Sequence, residues 1–135
     1  MAARVLRWEG ARTTRVEVTL LDAAAMRRLN RRVTGRRGLT DVLAFGLPQP
    51  DGRVLGDVYV CRAAAERYVA THRSGDPKGR GRGAVGEELT RLTVHGTLHV
   101  LGYDHPEGVG RTRSAMWRRQ ERYVRRLTGG GGRAR

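Results

Sequence analysis

The chain holds a single cysteine, Cys61, so no internal disulfide can form, and a reducing compartment is expected, with no disulfide-linked partner. It contains no run of eighteen apolar residues and no apolar stretch of signal-peptide type near its start, which makes a cytoplasmic protein away from membranes the expectation. Aromatic residues make up 5% of the chain, too few for base stacking to be a main source of nucleic-acid affinity. Lysine is almost missing: Lys78 stands alone among 27 basic residues. A G+C-rich genome explains arginine in place of lysine, but not 27 basic residues against 13 acidic ones and a net charge of +14. A polyanionic partner does, because arginine forks match phosphate oxygens and a charge of this size attracts nucleic acid at long range. A length of 135 residues is that of one domain with one modest core.

Against these scarcities, three of the four histidines fall within eleven positions, in His95-Gly-Thr-Leu-His99-Val-Leu-Gly102-Tyr-Asp-His105. His95 and His99, four apart, stand on one face of a helix, one turn from each other, and can offer two imidazole nitrogens to one ion. Gly102 can take the left-handed conformation that ends a helix, which lets His105 fold back as a third ligand. A lone HxxxH pair arises often by chance; the third histidine just past a helix-stopping glycine makes the pattern a metal site. Three ligands leave one tetrahedral position open, the mark of a catalytic rather than a structural zinc, where water has its pKa lowered to about 7. Zinc-peptidase helices carry a glutamate beside the first histidine as general base, and here that position is Gly96. His72 has no metal-binding neighbour at helical spacing and reads as a surface residue.

Hydrophobic periodicity places a helix over residues 2–9, a half-buried strand over 15–20, and a helix capped by Asp22 that runs to Asn30. Strands follow at 41–45 and 54–61, joined through the turn signals Pro48, Pro50 and Asp51-Gly52. A helix over 62–71, a mobile basic Gly-rich loop over 73–86, the metal helix over 87–101 and a helix from the Ser114 cap to Leu127 complete the pattern. Residues 1–128 read as the single domain and 129–135 as a disordered basic tail. Strands and helices mix without regular alternation, so an α+β fold is expected, a small mixed sheet covered by helices.

The histidine run resembles the signature H-G-x-L-H-L-x-G-Y-D-H of the YbeY-type endoribonucleases, also called ribosomal RNA maturation factors, departing only in Val100 for leucine. Leu29-Asn30 with Thr40-Asp41-Val42-Leu43-Ala44-Phe45 resembles that family's L-N…T-D-V-L-S-F block, and Leu55 to Cys61 its L-G-D-I-x-I-C strand; the likeness covers about residues 16–127. It implies a zinc-dependent, single-strand-specific endoribonuclease with one zinc on His95, His99 and His105, acting on ribosomal RNA at the small subunit, in 16S 3′-end maturation and in ribosome quality control. Members usually begin with a strand ahead of the first helix, and here only the end of that helix is expected. Members also usually carry Tyr-Arg shortly after Leu-Asn, the arginine meeting substrate phosphate; without gaps those positions are Val33 and Thr34. Arg36 or Arg37 then stands as the substitute charge, with Arg31 and Arg32 as further RNA contacts.

The zinc would stabilise charge on a phosphodiester undergoing attack either by water or by the RNA 2′-hydroxyl. Asp104 and Asp41 are the candidates for orienting the ligands, and each is equally well a turn aspartate. Met116, like the methionine beneath zinc in metzincin peptidases, is equally well a core residue. Two rival readings remain: a zinc peptidase, and a non-catalytic RNA-binding assembly factor whose metal only holds the fold.

Overall fold

The computed structural model describes residues 1–72 and 81–130. Eight regular elements follow in order: α1 (Ala2–Trp8), β1 (Thr14–Leu21), α2 (Ala23–Thr34), β2 (Val42–Pro48), β3 (Val54–Cys61), α3 (Arg62–His72), α4 (Gly81–Val100) and α5 (Ala115–Arg125). A 3-10 turn at Gly108–Arg113 precedes α5, and a wide π-type turn at Arg126–Gly130 follows it. None of the described helices is long and apolar enough to cross a membrane.

The expected α+β architecture is what forms. The sheet has the order β1-β3-β2, with β1 parallel to β3 and β2 antiparallel to it. The antiparallel pair is a hairpin whose loop holds the expected Asp51-Gly52 turn, where the Asp51 carboxylate accepts from the Arg53 amide at 3.0 Å. Both caps read from the sequence are present: Asp22 accepts from the Ala25 amide at 2.8 Å and Ser114 from the Trp117 amide at 3.1 Å.

Helix α4 runs through the centre. One side packs on the sheet, where Val58, Val60, Ala65 and Leu92 form a buried cluster. The other side joins α1 and α5 through Val5, Val94, Leu98, Met116, Tyr123 and Val124. Every residue from 92 to 98 is buried, so this stretch has no solvent face. Its threonines are accommodated by returning their hydroxyls to the helix: Thr93 donates to the Leu89 carbonyl at 2.9 Å and Thr97 to the Thr93 carbonyl at 2.8 Å. Gly96 lies against the sheet so closely that a Cβ there would meet Val58 Cγ1 at 2.5 Å.

Several expectations about element ends change: α2 runs past Asn30 to Thr34, and β2 runs past Phe45 to include Pro48, a residue expected as a turn signal. The basic loop expected over 73–86 is replaced by helix from Gly81 onward; packing that buries Ala84 overrides the low helix propensity of the glycines. Residues 73–80 of that loop, and 131–135 of the expected tail, lie outside the described residues. The last helix stops at Arg125, and Leu127 reaches the core from the π-type turn.

Candidate metal centre

Helical spacing puts His95 above His99 on α4. Gly102, at φ 99°, then reverses the chain, a conformation that costs a glycine little. The Asp104 carboxylate accepts from the His105 amide at 2.8 Å and so fixes the turn that carries the third imidazole. The three side chains converge as the spacing implied. His99 Nε2 lies 3.0 Å from His95 Nε2, and His105 Nε2 lies 3.3 Å from the same atom. His95, His99 and His105 are the one histidine, cysteine or carboxylate group among the described residues with this geometry, all ligand atoms lying within 4.8 Å of one another.

The second nitrogen of each ring decides what the first can do. His95 Nδ1 is 2.7 Å from Gln120 Oε1, His99 Nδ1 is 2.9 Å from the Tyr103 carbonyl, and His105 Nδ1 is 3.0 Å from the Pro106 carbonyl. Carbonyl oxygens only accept, so two rings must carry their proton on Nδ1. The Gln120 amide is fixed in the same sense, because its nitrogen donates to the Glu121 carboxylate at 3.0 Å and leaves its oxygen for His95. In the neutral form of each ring the Nε2 lone pair therefore faces the other two. Neutral nitrogens do not approach to 3.0 Å for their own sake, and tetrahedral zinc with bonds near 2.0–2.1 Å would separate them by about 3.3 Å. The donor set fits a nitrogen-binding transition-metal ion, each ligand being oriented by an acceptor behind it.

Burial prepares the ligands further. Desolvation pushes the His95 imidazole down to about 4, against the opposing effect of the Gln120 hydrogen bond, and also lowers His99. Both rings are thus neutral, as metal ligands must be, at pH 7.

The network extends outward. Glu121 also receives Arg91 at 2.8 and 3.0 Å, tying α5 to α4. Tyr103, whose carbonyl holds His99, donates its hydroxyl to Glu9 at 2.6 Å, and Glu9 also receives Arg119 at 2.9 Å and the Tyr123 hydroxyl. Burial would raise the Glu9 carboxyl, but these three donors outweigh it and hold it below the usual carboxylate range.

A cavity of about 240 Å³ opens beside His95, walled by Asp41, Glu88, Arg111, Trp117 and Gln120 among others. Asp41 thus stands at the cavity rather than behind a ligand, and burial pushes its carboxyl up. Asp104 is exposed and acts on the backbone of the turn. Arg31 and Arg32 are in the last turn of α2, Arg36 and Arg37 follow it, and all four are exposed and absent from the cavity wall. Met116 is 2% exposed in the core, and His72 is an exposed residue stacked on Tyr68. Gln120, Arg111 and the two backbone carbonyls were not picked out from the sequence. Only Gln120 left a signal there, as an amide on the apolar face of α5.

A profile of the family described as endoribonuclease YbeY matches residues 2–128. The endoribonuclease YbeY of Mycolicibacterium smegmatis is 38% identical over 103 residues, covering 68% of this chain and 53% of that protein. That of Anaeromyxobacter sp. is 38% identical over 106 residues, covering 77% of this chain and 50% of the relative. The chain spans about half the length of the curated relatives it matches. A Thermotoga maritima protein solved in solution has the same fold, with a TM-score of 0.61 and 26% identity over 97% of this chain and 81% of that one.

Proposed function

Since the chain belongs to the endoribonuclease YbeY family, we propose that it is a zinc-dependent endoribonuclease cutting single-stranded RNA at the His95, His99 and His105 centre. Its substrate is ribosomal RNA at the small subunit, in 16S 3′-end maturation and ribosome quality control, and its place of action is the cytoplasm. The observation that carries the reading is the convergence of three Nε2 lone pairs, each ring held from behind by an acceptor. When bound there, zinc supplies Lewis acidity that stabilises charge on a phosphodiester under attack.

The chain's own residues do the rest. Gln120 and the Tyr103 and Pro106 carbonyls keep the ligand nitrogens aimed. Asp41, its carboxyl raised by burial, faces the same cavity and is placed to exchange a proton with substrate. Exposed Arg31, Arg32, Arg36 and Arg37 lead RNA toward the cleft. A peptidase reading has less support: at Gly96 the Cβ direction runs into Val58 of the sheet, so a glutamate could not stand there as base without moving α4.

Incubation of the zinc-loaded protein with single-stranded RNA and, separately, with casein tests the reading. RNA cleavage that stops with chelator or in His95→Ala is expected, with casein intact. RNA binding without turnover, on ribosomal subunits as well as free RNA, would favour the assembly-factor reading, and casein hydrolysis the peptidase.

A further inference from the structure

We propose that Arg111 binds a phosphate of the RNA beside the three-histidine centre, in the place of the arginine that family members usually carry shortly after Leu-Asn. The inference rests on the endoribonuclease reading and names a residue for it. At the family position stands Thr34, whose hydroxyl is already engaged with the Asn30 carbonyl at 2.7 Å and the Asn30 side chain at 2.9 Å. A neutral hydroxyl turned back on its own helix cannot supply a phosphate clamp.

Arg111 arrives from another element, the 3-10 turn between His105 and α5. Its carbonyl accepts the Ser114 hydroxyl at 2.8 Å, so its backbone is anchored to the cap of α5. Its side chain lines the cavity that His95 and Asp41 share, with the guanidinium carbon 5.6 Å from the Trp117 ring centre. A cation over the indole face at that distance is attracted by the ring without spending an N–H donor on it.

What distinguishes Arg111 is its missing partner. Its Nε is the one buried side-chain nitrogen or oxygen among the described residues with no hydrogen bond. The other arginine of the same cavity, Arg91, is matched by Glu87, Glu88 and Glu121 at 2.8–3.0 Å. Among the described residues, Arg111 has no carboxylate within ion-pairing distance; Asp41 feels its charge without pairing with it, and Glu88 is committed to Arg91. Arg111 is half-buried, and its buried N–H left without an acceptor is costly, so it marks a place where a ligand completes the bonding. The charge of Arg111 also bears on His95 and His99, which are neutral, and a divalent ion on those ligands would add to the positive potential. An anion with two oxygens in one plane satisfies both needs, and a phosphodiester provides them in the bidentate geometry a guanidinium prefers.

The test uses Arg111→Met, close in length and without charge, and Arg111→Lys, which keeps the charge but not the fork. Affinity for a short single-stranded RNA is measured by fluorescence anisotropy across salt concentrations, on zinc-loaded and on chelator-treated protein, beside metal content and melting temperature. Expected for Arg111→Met is about tenfold weaker binding and a log–log salt slope shallower by about 0.7, the share of one single-strand phosphate, with metal content unchanged. Arg111→Lys should keep the slope and recover part of the affinity. If both variants bind with wild-type affinity and slope while the wild type cuts RNA, Arg111 is not the phosphate residue and the endoribonuclease reading stands. If the wild type neither binds nor cuts RNA, both fall.

Discussion

Gln120 sits between Met116 and Val124 on the buried face of α5, 1% exposed, and its amide oxygen keeps the His95 proton on Nδ1. Removing that acceptor frees the ring to rotate or to take the other tautomer, which turns a proton toward the cluster. Gln120→Ala should therefore weaken metal affinity about 10- to 100-fold while His95, His99 and His105 all remain. Competition with a chromogenic chelator reads the change, and wild-type affinity in the variant would mean that Gln120 does not orient the ligand. The histidines were legible in the sequence because helical periodicity and a stop glycine are local signals. Their supports were not: the Tyr103 and Pro106 carbonyls exist in every residue, and Gln120 lies 25 positions from the ring it serves. Arg111 was hidden among many arginines, since only the fold reveals which one has a buried nitrogen without a partner.

At the scale of elements, α4 owes its place to the missing side chain of Gly96. A methyl group there would need Val58 Cγ1 to retreat from 2.5 Å, and Val58 is itself fully buried on the central strand. Gly96→Ala should lower stability by about 1–3 kcal/mol, the range for overpacking a filled core, even though alanine is the better helix former. Urea unfolding measures it, and a gain in stability would show that the helix does not rest on the sheet as described. The strands, both capped helices and the hairpin were readable because alternation, Asp22, Ser114 and Asp51-Gly52 act within a few residues. The first turns of α4 were not, because their helical state comes from tertiary packing against Ala84 rather than from Gly81, Gly83 and Gly86 themselves. The 3-10 turn that carries Arg111 escaped for a similar reason: six residues are too short a span for periodicity to register.

At the scale of the whole molecule, the net charge of +14 is poorly compensated internally. Ion pairs between described residues involve only Arg53, Arg62, Arg91 and Arg119 among the arginines, so most guanidinium groups are available to a polyanion. The arginine excess and the three-histidine cluster suit different tasks, the one attracting a polyanion and the other holding an ion. The metal centre is the claim on which the rest depends. Elemental analysis of the purified protein beside His99→Ala tests it most directly. About one transition-metal ion per chain, zinc unless nickel or copper has replaced it during purification, is expected in the wild type, with most of it lost in the variant. A folded wild type that takes up no more zinc than His99→Ala, even when zinc is supplied, would contradict the account.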